Sequence, residues 1–289
     1  MAPGYFEMGA GETVLMLHGS LASKGQWRAL AERLAQRHRV IAVDLHGYGD
    51  NPMPRFRQRH TFGNEVALVL RRLRESGRRG GSMHVVGHSF GAGVALALAR
   101  EAPRMVASLA LYEPPCFPLL LPARSADYRT ARTVGERVSR CVAEGRPDEA
   151  LRAFLDYWGG AGSYEALTPD ARAALTGRVA KAALDFDAVF TAPSDTAAWT
   201  CIEAPVLLMR GRRSPTEVRR AIEALARLLP LARLEEMAGD HLMPLRDPQP
   251  VNDAVVRFLD TLRWIEASRP AAHAGVSRPS PASWATTMA

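Results

Sequence analysis

The stretch Gly87-His88-Ser89-Phe90-Gly91 decides how this chain is read. It lies between Met83-His84-Val85-Val86, an apolar run of buried-strand type, and an Ala/Leu-rich helical run over residues 90–100 that stops near Pro103. A GxSxG pattern arises by chance; its position between strand and helix gives it weight. A serine held at so sharp a turn needs small residues two before and two after it, because side chains there would strike neighbouring backbone. Gly93 and the alanines that follow let the helix lie close to the strand. The first N–H groups of the helix, and its positive dipole end, then face the Ser89 hydroxyl and any oxyanion formed there.

The same strand-then-helix rhythm extends outward in both directions. Thr13-Val14-Leu15-Met16-Leu17 reads as a buried strand ending at His18-Gly19-Ser20, followed by a helix over residues 26–36 with Trp27, Leu30 and Leu34 on one face. Val40-Ile41-Ala42-Val43 is the next strand, then a Gly/Pro-rich loop and a helix over residues 62–76. Downstream come strands at 106–112, 206–209 and 232–236, with helices at 216–229 and 250–263. This alternation predicts an α/β fold, a mostly parallel sheet flanked by helices. From Pro114 to Thr200 the pattern is helices broken by Gly and Pro, with no convincing strand. The expected division is a core of residues 1–114 and 201–267, an inserted helical lobe of residues 115–200, and a Pro/Ser/Ala-rich tail, 268–289, expected to be disordered and dispensable for catalysis.

Composition excludes several function classes. With 47% apolar and 23% charged residues over 289 positions, the chain can bury a large core without disulfides or a structural metal. Cys116, Cys141 and Cys201 make no CxxC spacing and suit a reducing compartment. The net charge of +7 is carried almost wholly by scattered arginines, as in Arg71-Arg72-Leu73-Arg74, Lys24 and Lys181 being the only lysines. No basic run is interleaved with aromatics, so solvated helix faces explain the charge and no nucleic-acid partner is expected. Residues 1–11 lack a basic segment followed by an apolar run, and no stretch approaches the roughly 18 apolar residues of a membrane span. A cytoplasmic enzyme with a small-molecule substrate is the expectation; a homodimer is compatible with the sequence, which does not specify an oligomeric state.

A serine hydroxyl is a poor nucleophile at neutral pH and needs a base within hydrogen-bonding reach. Among the eight histidines, His241 follows Ser89 in chain order and sits in a loop, Ala238-Gly239-Asp240-His241. His46, in Asp44-Leu45-His46-Gly47-Tyr48-Gly49, is its rival. An acyl-transfer site also needs two donors for the oxyanion. The N–H of Phe90 is one; Ser20, in the loop after an earlier strand, is the choice for the other, with Leu21 as the alternative. His18 is read as shaping that loop by hydrogen bonding.

Leu17-His18-Gly19-Ser20, the Asp44-to-Gly49 segment, the Gly87-to-Gly91 elbow and the His241 loop together resemble the α/β-hydrolase superfamily in type, order and spacing over about residues 5–263. The resemblance implies a Ser–acid–His triad, an inserted helical cap, no cofactor or metal, and hydrolysis of small esters, thioesters, amides or activated carbon–carbon bonds. Ser89 in the nucleophile position argues against haloalkane or epoxide chemistry, which uses Asp there.

The third triad member departs from the family pattern. An Asp is usual a few residues after the strand at 206–209, but the chain reads Gly211-Arg212-Arg213-Ser214-Pro215. A neutral hydroxyl can accept from an imidazole but cannot stabilise an imidazolium by charge. Some members place the acid one strand earlier, which here is Glu113 in Leu111-Tyr112-Glu113-Pro114-Pro115, and Glu113 is the proposed acid. Glu217 is the second candidate. Asp240 is poorly placed to reach its neighbour's far nitrogen. Three functions follow from this reading: an esterase-like hydrolase for a partly hydrophobic acyl substrate, a carbon–carbon hydrolase of a vinylogous diketone drawing on cap arginines such as Arg124, Arg129 and Arg132, or a non-catalytic binding protein on the same fold.

Overall fold

The structure, a computed structural model, describes residues 4–54, 59–123 and 125–268. Seven strands form one sheet in the order β1-β3-β2-β4-β5-β6-β7. They are β1 (Tyr5–Met8), β2 (Glu12–Leu17), β3 (His38–Val43), β4 (Met83–His88), β5 (Val106–Tyr112), β6 (Val206–Gly211) and β7 (Ala232–Met237). All neighbours pair in parallel except β1, which runs antiparallel to β3 with Tyr5 opposite Val43. This edge strand escapes a sequence reading because it is four half-buried residues with no apolar run.

The helices packed on the sheet are α1 (Arg28–Leu34), α2 (Phe62–Glu75) and α3 (Phe90–Glu101). Between β5 and β6 come α4 (Ala126–Ala143), α5 (Pro147–Gly159), α6 (Pro169–Thr176), α7 (Val179–Phe190) and α8 (Ala197–Thr200). The chain closes with α9 (Thr216–Leu228), α10 (Met243–Arg246) and α11 (Gln249–Ala267). The helix expected over 26–36 opens instead as a 3-10 turn, Lys24–Trp27, and α11 runs past the expected end at 263 to Ala267. The tail expected to be disordered falls, from residue 269 onward, outside the described residues, as does Arg124.

Strand residues alternate between two cores. Leu15, Leu17, Ile41, Val43, Val85, Leu109, Leu111 and Leu208 pack with α2, α3 and α9. Val14, Met16, Val40, Ala42, Val86, Ala110, Leu207 and Met209 pack with α1 and α11 on the opposite face. Burial on both faces is why the central strands read as nearly continuous apolar runs. The segment between β5 and β6 contains no strand among its described residues. Its helices pack through aromatic rings: Phe117 on Trp158 and Phe190, and Phe154 on Phe186. Among the described residues, no helix is long and apolar enough to cross a membrane.

Candidate active site

Three non-glycine residues have positive φ among the described residues, Leu21 at 62°, Ser89 at 51° and Glu113 at 48°, and all three belong to one site. Such backbone costs on the order of 1–3 kcal/mol each and persists only where its surroundings over-determine it. Ser89 sits between β4 and α3 with ψ at −121°. A Cβ on Gly91 would lie 2.4 Å from the carbonyl oxygen of His18, and one on Gly87 would lie 2.7 Å from the Ala92 backbone. Neither glycine has an unusual φ; close approach of chain to chain requires them.

Ser89, His241 and Glu113 come together at the carboxyl ends of the parallel strands, from the turns after β4, β7 and β5. The Ser89 hydroxyl lies 2.8 Å from His241 Nε2, and His241 Nδ1 lies 2.7 Å from Glu113 Oε2. Glu113 is fully buried, and its other oxygen accepts from the Gly211 N–H at 2.5 Å and the Ser214 hydroxyl at 2.6 Å. Ser214, at the position usual for the acid, therefore serves as a donor to the carboxylate that reaches the imidazole. Glu217 lies beside Tyr157, whose phenol is pushed well up by burial and then by that carboxylate. His46 bonds to Glu65 through Nδ1 at 3.1 Å. Asp240 caps the N–H of Leu242 at 2.9 Å.

The loop carrying Ser20 follows β2. His18 donates from Nδ1 to the Gly19 carbonyl at 2.7 Å and accepts the Leu45 N–H at Nε2, 3.0 Å. The Gly19 N–H is taken by Gln26 Oε1 at 3.2 Å. Among the described residues no acceptor takes the N–H of Ser20 or of Phe90. Leu21, the alternative donor from the sequence, lies with its backbone beside the Tyr48 phenol.

A second chain of bonds runs beside Ser89. Gln26 donates from Nε2 to His88 Nδ1 at 3.1 Å, and His88 donates from Nε2 to the His241 carbonyl at 3.0 Å. Tyr112 donates to the Asp240 carbonyl at 2.7 Å. The loop carrying His241 and the loop carrying Ser20 are tied to one buried ring. Nothing in the sequence signals this link, since Gln26 and His88 are 62 positions apart.

Burial pushes the His88 pKa well below its ordinary value, and neighbouring His241 adds to the effect. Burial likewise lowers His18, partly offset by the Gly19 carbonyl and nearby carboxylates. Both rings stay neutral in the folded chain, whereas in the unfolded chain they protonate near pH 6.5. Below that pH the unfolded state binds more protons, so stability present above about pH 6.5 is lost as pH falls, at about 1.4 kcal/mol per pH unit for each ring. Urea midpoints are expected to drop between about pH 7.5 and about pH 5.5, and equal midpoints would contradict the neutral assignment.

Above Ser89 lies a cavity of about 250 Å³, counting its open mouth, walled by Pro115, Phe154, Trp158, Phe186 and Val189 with Ser20 and Asp185 at one side. The Trp158 indole stacks on the His241 ring, centroids 3.9 Å apart. Phe154, Trp158 and Phe186 face the cavity, whereas Phe117 and Phe190 stack on each other and are absent from its described lining. His60, Glu65 and Asp185 offer ligand atoms within 4.8 Å of one another, the spacing of a cation site. The Lys181 ammonium already bonds Glu65, at 3.0 Å, and Asp185. The residues present therefore form an ion cluster around an internal cation.

A model of the alpha/beta hydrolase family matches residues 14–254. The dihydrolipoyllysine-residue acetyltransferase component of the acetoin cleaving system from Cupriavidus necator is 40% identical over 106 residues, 37% of this chain and 27% of that protein. A 2-hydroxymuconate semialdehyde hydrolase from Pseudomonas is 36% identical over 110 residues, 36% of this chain and 37% of that protein. These matches span well under half the length of the curated relatives. A crystal structure of an alpha/beta hydrolase from Sphaerobacter thermophilus superposes with a TM-score of 0.62 at 25% identity, covering 88% of this chain and 95% of that one.

Proposed function

The chain belongs to the alpha/beta hydrolase family, and on that premise we propose that it is a serine esterase for small, partly hydrophobic acyl substrates. Ser89 attacks the substrate carbonyl while His241 takes its proton at Nε2, and the N–H groups of Ser20 and Phe90 receive the oxyanion. Glu113 holds the imidazole in the tautomer with its proton on Nδ1 and stabilises the imidazolium by charge. His241 then protonates the leaving alcohol and activates water against the acyl-enzyme. No cofactor or metal enters. The helical segment between β5 and β6 acts as a cap that shapes the acyl site.

One observation carries this reading: the unbroken chain from Ser89 Oγ through His241 to Glu113, 2.8 Å and 2.7 Å, beside two unengaged backbone donors. The small, apolar cavity favours short acyl groups. On p-nitrophenyl esters, kcat/KM is expected to peak between acetate and butyrate and to fall by about 10-fold or more at dodecanoate, whose chain exceeds the pocket. Activity that rises steadily to dodecanoate would overturn the size assignment. Carbon–carbon hydrolysis draws less support. The described cavity lining contains no arginine or lysine for a substrate carboxylate, and Arg132 is turned to Glu136 at 2.8 Å.

A further inference from the structure

The ion cluster beside the cavity is expensive. Lys181 and Glu65 have fully buried side chains and Asp185 is nearly so. Removing such charges from water costs several kcal/mol per ion unless geometry repays it. Burial pushes Glu65 up, but Lys181 beside it, and hydrogen bonds from His46 and His60, hold it well below the usual carboxylate range. Lys181 in turn lies 4.6 Å over the Phe90 ring. What this assembly accomplishes is visible in the bonds Asp185 makes on its free side. Its Oδ2 accepts from the Ser20 hydroxyl and from the Tyr48 hydroxyl, both at 2.6 Å. Tyr48 also lies beside the backbone of Leu21, the residue held at φ 62° directly after Ser20.

We propose that Asp185, carried on the inserted helix α7, is a positioning residue that completes the oxyanion hole. By gripping Ser20 through its hydroxyl and fixing Tyr48 beside Leu21, it holds the strained turn that aims the Ser20 N–H at the reacting carbon's oxygen. Lys181, tied to Glu65 of α2, keeps that carboxylate in place. The donor on the core is therefore formed only when the insertion is seated, which couples docking of the cap to stabilisation of the oxyanion. The inference rests on the serine-esterase reading.

Asp185→Leu removes the acceptor. The double variant Lys181→Met/Asp185→Asn removes the charges of this pair, leaves Glu65 to its bonds from His46 and His60, and keeps a carbonyl oxygen for Ser20 and Tyr48. With p-nitrophenyl acetate, Asp185→Leu is expected to lower kcat about 100-fold with KM within about threefold, the scale of losing one oxyanion donor. The double variant is expected to recover to within about fivefold of the parent. A trifluoromethyl ketone that forms a hemiketal on Ser89 supplies a spectroscopic signature. The pH at which its carbon-13 shift reports protonation of the oxyanion is expected to rise in Asp185→Leu and to return in the double variant. Unchanged kcat and an unchanged hemiketal titration in folded Asp185→Leu would overturn the proposal, as would a folded double variant as impaired as the single one. Should Asp185→Leu not fold, Ser20→Ala, which cuts the tether and keeps the N–H, carries the same test: a kcat loss and a raised hemiketal titration support the tether, and parental values refute it. Failure of the unmodified chain to take a fluorophosphonate on Ser89 would instead refute the esterase reading itself.

Discussion

Ser89→Ala is expected to lower kcat on p-nitrophenyl acetate by about 10⁵- to 10⁶-fold while leaving the fold intact. The substitution removes a single oxygen and inherits the same backbone, φ 51°, so the elbow is not additionally strained. The loss is large because, among the described residues, Ser89 supplies the hydroxyl bonded to His241 Nε2 and no second hydroxyl shares that bond. Some acceleration over water is expected to remain, since the N–H groups of Ser20 and Phe90 survive and still polarise a bound carbonyl. Turnover within about tenfold of the parent would mean that the reaction uses a different nucleophile.

Glu113→Gln carries the second largest effect, about 10⁴-fold in kcat, and the reason lies in which atoms surround the carboxylate. The Gly211 N–H can only donate, so the oxygen it faces must remain an acceptor. The amide NH₂ of the variant must then face His241 Nδ1, which becomes an acceptor and moves the ring proton to Nε2, towards Ser89. The imidazole is left in the wrong tautomer to serve as a base, although every heavy atom keeps its place. Ser214→Ala deletes one donor to the same carboxylate and is expected to cost only about tenfold. Full activity in Glu113→Gln with strong loss in Ser214→Ala would reverse the two roles.

The parallel core was legible because strands buried on both faces write themselves as apolar runs, as in Val14 to Leu17 and Val206 to Met209. The elbow was legible because its glycines answer to steric demands that operate over five residues of chain. The edge strand β1 was not, since one face of Tyr5–Met8 stays partly exposed and leaves no run to see. Choosing between Glu113 and Ser214 needed the sheet: both follow neighbouring strands, and only the placement of β5 beside β6 shows that one hydrogen bonds to the other. Asp185 and Lys181 stand i,i+4 on one helix, a spacing that an ordinary solvated pair would share. Their partners Ser20 and Tyr48 lie 165 and 137 positions away, beyond the reach of any local pattern. The same holds for the ring of bonds through Gln26 and His88.

The most direct test of the account is to treat the unmodified protein with a fluorophosphonate and map the adduct by peptide mass spectrometry. The account predicts one phosphonylated residue, Ser89, with labelling lost when the chain is unfolded beforehand. An adduct on any other residue, or a folded protein that takes up no reagent, would contradict it.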